Sequence, residues 1–257
     1  MKRSDINEAI RRADAFLTEH RFVLPPFAYW QPDEWRRKGT EISEIVSRKL
    51  GWDITDFGSG NFESVGLFLF TLRNGDLDDP KKGRGKLYGE KILVVEEDQV
   101  TPLHLHRVKT EDIINRGGGR LAIKVFNSRE DGSLDDSDVV VRVDAVPRVV
   151  DAGSTIVLEP GESATLPDGL YHEFWGIDKR VLVGEVSLVN DDAKDNYFYR
   201  NTGRFPAIEE DEDPLYLLVN DYERYVELAG SRYRQMLSRK SLTEHPYTCP
   251  HCHERTN

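Results

Sequence analysis

From about residue 52 the chain is a succession of short β-rich runs separated by turn signals, at 65–73, 91–95, 99–106, 121–126, 139–143, 155–158, 163–166, 170–175 and 181–189. The first ends in Asn74-Gly75, a pair that favours a tight turn. Nine short strands at this spacing, with little helix between them, predict a mainly β fold: an antiparallel sandwich or barrel. The residues ahead of them read as helix. Ile6, Ala9, Ile10, Ala13, Phe16 and Leu17 recur on one helical face, with Ser4 as the expected N-cap. After Leu24-Pro25-Pro26 a second helical stretch is expected over 33–50, broken at Gly39-Thr40, with Gly51 as its stop. A last helix is expected from Tyr222 through Leu228 towards Leu237, capped by Asn220 or Asp221. The expected organisation is a helical arm (1–51) on a β-barrel (52–228), with an extension over 229–257. The charge-rich runs 76–82 and 209–213 read as solvated loops.

Charge narrows the function class. A net charge of −11 disfavours nucleic acid as the main partner. No run approaches 18 apolar residues, so no membrane-spanning helix is expected, and the N-terminus lacks the apolar core of a secretory signal. Both cysteines lie in the last nine residues, which leaves no disulfide framework for the body. A cytoplasmic protein acting on small molecules fits these features.

The histidines carry the chemical signal. In a strand, His104 and His106 point to the same face, and Glu111 follows five residues later. Two imidazoles and a carboxylate suit a first-row metal, although a lone His-x-His also reads as two hydrogen-bonded surface imidazoles. A second pattern, Gly161-x5-Pro167-x-Gly169-x2-His172, follows the first, His104-x-His106-x4-Glu111-x6-Gly118. In order and spacing the two resemble the paired motifs of cupins. Asp98 and Gly176 depart from those motifs, at turn positions rather than ligand positions. The resemblance implies a double-stranded β-helix, or jelly-roll barrel, in which His104, His106, Glu111 and His172 converge on a metal.

Longer blocks resemble the D-lyxose isomerase family: LPPFAYW (24–30), LGWDITDFGSGNF (50–62), GLFLFTLRNG (66–75), QVTPLHLH (99–106), EDIINRGGG (111–119), PDGLYHEFWG (167–176), GEVSLVNDD (184–192) and GRFPAIEEDE (203–212). The resemblance runs over roughly 1–228. It implies a cupin barrel flanked by N-terminal helices, a divalent cation (usually manganese) and a homodimer. The implied reaction interconverts D-lyxose and D-xylulose through a cis-enediol, with D-mannose and D-fructose as a side pair. An iron-dependent cupin dioxygenase and a non-catalytic sugar-binding cupin are the competing readings.

An aldose–ketose isomerase needs a base for the C2 proton and groups that move hydroxyl protons. Glu185 is the expected base, because it is a lone carboxylate in the apolar run 181–189 and needs a partner there. Lys109, between His106 and Glu111, is expected to steady an oxyanion or hold a hydroxyl. Lys91, Asp192 and Asp195 are candidates for sugar hydroxyls, against the plainer readings of a solvated lysine and a turn. Phe27, Tyr29 and Trp30 either line the cavity mouth or pack the arm onto the barrel, the second being favoured. In the tail, Cys249 and Cys252 with His245 and His253 offer a zinc half-site, the alternative being a free reduced tail. Gly83-Arg84-Gly85-Lys86 lacks the Ser/Thr of a phosphate loop.

Overall fold

The computed structural model describes residues 1–191, 195–200, 202–203 and 206–226. Helices α1 (Arg3–Glu19), α2 (Pro32–Arg37) and α3 (Ser43–Ser47) precede twelve strands. These are β1 (Gly51–Thr55), β2 (Leu67–Arg73), β3 (Tyr88–Val95), β4 (Thr101–His106), β5 (Glu111–Ser128), β6 (Leu134–Asp135), β7 (Val139–Val143), β8 (Val146–Val150), β9 (Thr155–Leu158), β10 (Ser163–Leu166), β11 (Tyr171–Leu188) and β12 (Asn196–Phe198). They form one antiparallel system in the order β1-β2-β3-β11-β5-β10-β7-β8, with β4 on β11, β12 on β4, and β6 and β9 on β5. This is the expected mainly β, cupin-type architecture.

Two strands of 18 residues, β5 and β11, tie the barrel together. Their first and second halves serve different neighbours. β5 pairs with β10 over Glu111–Ile114 and with β9 over Leu121–Lys124. β11 pairs with β4 near His172 and with β3 from Val181 to Leu188. The bend between the halves falls at Gly117, Gly118 and Gly119, opposite a register shift between Ile177 and Val181. A Cβ on Gly118, whose φ is +91°, would lie 2.3 Å from the Arg180 carbonyl oxygen. Only glycine lets the two backbones meet there. The expected runs split β11 at this bend, into 170–175 and 181–189, and took in only the second half of β5, 121–126.

The sheet is buried on both sides at β1–β3, whereas β7 and β8 turn one face to solvent. Inside the barrel, Leu93, Ile113, Ile123, Val125, Val141 and Val183 pack among other aliphatics. Each such side chain contributes about 1.5–3 kcal/mol on burial. On the outer face of β1–β3, Trp52, Ile54, Phe68, Phe70 and Val94 receive Ile6, Ala9, Ile10, Ala13 and Leu17 of α1. Phe27 stacks against Phe70 at 5.4 Å, Trp30 against Trp35 at 5.1 Å, and Tyr29 donates to Asp14. These aromatics thus pack the arm, as the favoured reading had it.

Several local expectations are corrected. The N-cap of α1 is Lys2, not Ser4; the Ser4 amide and hydroxyl both donate to Asp211. The run 209–213 is therefore no free loop. Its Glu210 binds Arg3, Glu212 accepts from Asn7, and the Arg3 amide donates to the Glu209 carbonyl. The stretch 33–50 is two short helices joined by a 3-10 turn, Thr40–Ile42, and Gly51 opens β1 instead of only ending a helix. Gly51 has a φ of +132°, and a Cβ there would lie 2.3 Å from the Tyr222 hydroxyl. The last helix is one turn, Tyr222–Tyr225; Asp221 stands at its N-cap position as one of the two expected residues, but its carboxylate serves Arg3 and the Leu218 amide rather than the helix. Its expected course beyond 226, and the tail residues His245, Cys249, Cys252 and His253, lie outside the described residues. Among the described residues no helix is long and apolar enough to cross a membrane.

Candidate metal and catalytic site

The barrel interior turns polar where β4, β5, β11 and β12 meet. His104 and His106 alternate on the inner face of β4, and His104 is the cross-strand neighbour of His172 on β11. Glu111 is the first residue of β5, and Lys109 sits in the loop between His106 and Glu111. Glu185 on β11 faces Lys91 of β3 on one side and Ile113 of β5 on the other. The cavity has an empty volume of about 470 Å³ including its open mouth, with Lys91, His104, His106, Lys109, Glu111 and Glu185 in its lining.

The three imidazoles each bring a ligand nitrogen to within 4.8 Å of the others. His104 Nδ1 donates to the Pro102 carbonyl at 2.8 Å, and His172 Nδ1 donates to the Leu170 carbonyl at 3.0 Å. Since a carbonyl only accepts, both rings carry a proton on Nδ1, which leaves Nε2 as the nitrogen turned to the cluster. Glu111 stands beside two rings, its oxygens 3.4 Å from His106 Nε2 and 3.2 Å from His172 Nε2.

Burial sets the charge state of this group. It pushes His104 well below its ordinary range, with the neighbouring imidazoles His172 and His106 adding to the effect. His106 is lowered as well, again chiefly by burial, against the opposing pull of Glu111. For Glu111, burial acts upwards, but the Lys109 ammonium and His106 overcome it and hold the carboxyl well below its usual value. The result is neutral His104 and His106 beside an ionised Glu111, the protonation states a first-row cation requires of such ligands. His172 Nε2 is buried and makes no hydrogen bond, although Glu111 lies close by. A buried lone pair left in this way is costly unless a cation takes it. The residues therefore fit a divalent metal.

Beside the ligand group lies an ionic chain. Lys109 Nζ is 2.7 Å from Glu111 Oε2 and 2.9 Å from Glu185 Oε1, and Lys91 Nζ is 3.3 Å from the same Glu185 oxygen. Glu185 is only 6% exposed. The structure thus brings together seven of the nine sequence-predicted site residues: His104, His106, Glu111, His172, Lys109, Glu185 and Lys91. Asp192 lies outside the described residues. Asp195 is placed differently from the expectation of a sugar-binding carboxylate. Its Oδ1 accepts from the amides of Arg107 and Val108 at 3.0 Å, and its Oδ2 from the amide of Lys109 at 3.1 Å. Both oxygens are committed to the loop that carries Lys109.

Sequence reading missed Thr101, Asn196, Phe57 and Phe198, all of which line the cavity. Phe198 rests on the His104 ring at 5.4 Å with the planes 31° apart, and on Phe57 at 5.4 Å. The only signal for this strap was the alternation Asn196, Tyr197, Phe198, too short to read as a strand.

Comparison with known proteins identifies the family. The family model of D-lyxose isomerase matches residues 1–222. A D-lyxose/D-mannose isomerase of Escherichia coli O157:H7 is 46% identical over 231 residues, 88% of this chain and 100% of that protein. A D-lyxose ketol-isomerase of Cohnella laeviribosi is 31% identical, over 70% of this chain and 98% of its own. In fold, the chain is similar to the L-ribose isomerase of Cellulomonas parahominis solved with L-ribose. That likeness has a TM-score of 0.54 at 16% identity, covering 81% of this chain and 98% of the other.

Proposed function

The chain belongs to the D-lyxose isomerase family and is a sugar isomerase of the aldose–ketose type, and we propose that it is a divalent-cation enzyme interconverting D-lyxose and D-xylulose. D-mannose and D-fructose are the proposed second pair. Manganese, a homodimer and a cytoplasmic setting belong to the same proposal, on family grounds.

The observation that carries the reading is the buried Glu185, held by two lysines at the edge of a cavity whose other wall is a ligand set. In the proposed reaction Glu185 takes the proton from C2 of the open-chain aldose. The C–H electron pair forms the C1–C2 double bond of a cis-enediol. Glu185 then returns a proton to C1 while a hydroxyl proton moves from O2 to O1, so the sum is an isomerisation with no external reductant. Lys109, shared between Glu111 and Glu185, places a positive charge beside the oxygens on which negative charge grows. Lys91 steadies the same Glu185 oxygen. A divalent cation held by His104, His106, His172 and Glu111 would polarise the sugar carbonyl and stabilise the developing oxyanion. The apolar wall of Leu67, Leu69, Leu93 and Phe174 limits water around the exchanging proton.

The test is anaerobic turnover by protein stripped with EDTA and reloaded with manganese, on D-lyxose, D-mannose and L-ribose in parallel. The expected result is ketose formation restored by manganese, fastest from D-lyxose. Fully loaded protein that converts no aldose would overturn the reading.

A further inference from the structure

Two buried polar atoms in the cavity wall have no role in the proton chemistry above. Thr101 is 2% exposed, and its Oγ1 has no hydrogen-bond partner among the described residues. The Oδ1 of Asn196 is likewise buried and unpartnered. Each residue faces the cavity for a readable reason. β11 pairs His172 with His104 but Phe174 with Thr101, so two steps on β11 oppose three on β4. This bulge turns Thr101 to the inner side, which simple alternation from His104 would not do. Asn196 of β12 is the cross-strand neighbour of His106 and so shares its inward face, while Tyr197 between Asn196 and Phe198 points out, under Arg107.

An unpaired buried hydroxyl and an unpaired buried amide oxygen are a standing cost unless something fills them. The occupant must offer at least one O–H to Asn196 Oδ1, and a group that donates to or accepts from Thr101 Oγ1. It must also tolerate the aliphatic and aromatic wall of Leu67, Leu69, Ile113 and Phe174. A polyol chain, with hydroxyls on one side and C–H groups on the other, meets all three demands. We propose that Thr101 and Asn196 bind hydroxyls of the sugar's non-reacting tail, C3 to C5, and thereby set which aldose the enzyme prefers. This deepens the isomerase reading and rests on it for the identity of the sugar.

The test uses metal-loaded Thr101→Val and Asn196→Leu proteins beside the wild type. D-arabinitol, the polyol of D-lyxose, cannot isomerise and reports binding by calorimetry; D-lyxose and its mono-deoxy analogues report KM and kcat. Thr101→Val is expected to weaken D-arabinitol binding and raise the D-lyxose KM about tenfold, with little change in kcat. Its melting temperature should stay level or rise, because the hydroxyl has no protein partner to lose. The penalty should vanish on the deoxy sugar that lacks the matching hydroxyl, and Asn196→Leu should behave alike on a different analogue. Unchanged Kd and KM in both variants, a lower melting temperature for Thr101→Val, or a wild type that does not bind D-arabinitol would each overturn the inference. A wild type that binds the polyol yet converts no aldose would instead remove the isomerase reading and leave the binding role standing.

Discussion

The molecule holds two ionic clusters, one around the buried Arg3 and one at the cavity, and they are built to opposite plans. In the first, Arg3 at the start of α1 is fully buried, and its guanidinium makes four hydrogen bonds. Two go to Glu210 at 2.8 and 2.9 Å and two to Asp221 at 3.0 and 2.8 Å. Burial disfavours the charged guanidinium, but the two carboxylates more than offset this and raise its pKa. Asp221 also accepts from the Leu218 amide, so the cluster closes on itself and clamps the two ends of the described chain together. In the second, Lys91, Lys109, Glu111 and Glu185 also pair, but beside them His172 Nε2 meets only Glu111, and among the described residues Thr101 Oγ1 and Asn196 Oδ1 have no hydrogen-bond partner. A closed cluster has nothing left to offer a ligand. The open one holds its unspent valences where the cavity is, which marks it as the place for metal and sugar.

Substitutions separate the two plans. The largest effect is expected from His172→Ala, which removes one of the ligand nitrogens from the open cluster. Bound metal and turnover should fall together to near background, read by elemental analysis and the ketose assay. Full metal content would show that this nitrogen is not a ligand. In the closed cluster Arg3→Met leaves two carboxylates facing each other. It should cost about 3–5 kcal/mol of stability by denaturant unfolding, with turnover per folded molecule unchanged. A loss of kcat at full folding would mean that the clusters are coupled.

Asp195→Ala lies between the two plans, since it strips three hydrogen bonds from the Lys109 loop but touches no reacting atom. It should lower kcat roughly tenfold, with a smaller change in KM, because a slightly misplaced ammonium is penalised mainly in the transition state. The smallest effect is a pH response. Glu210 is held below its ordinary 4.5, first by its hydrogen bonds from Arg3. The unfolded chain therefore takes up that proton at a higher pH than the folded protein does. Its stabilisation is complete above about pH 4.5 and is lost as the pH falls through the lower folded value. Glu210→Gln should flatten that part of the curve of melting temperature against pH.

The same contrast explains what was legible in the sequence. The two histidine motifs were readable because period two and fixed turn spacing are local properties, and the structure brings His104, His106, Glu111 and His172 into one cluster. The alternation around Glu185 was readable for the same reason. The closed cluster was not, because Arg3 finds Asp221 across 218 positions and nothing local in 209–213 tells a docked acidic run from a solvated one. Ser4 misled for that reason too: a good cap residue was claimed by Asp211 instead. Strand β1 was hidden behind Gly51, which reads as a helix stop although close contact with Tyr222 is what demands it. Thr101 faces inward only through a bulge, and a bulge leaves no trace in the alternation. Asp195 was read for its charge, whereas its place is set by three amides of a distant loop.

The most direct test of the central claim, that the open cluster carries the chemistry through Glu185, is turnover of D-lyxose by metal-loaded Glu185→Gln beside the wild type. The account predicts a folded protein with full metal content and turnover lowered by about 10²–10⁴-fold, the range for losing a general base. Near-normal turnover in that variant would contradict it.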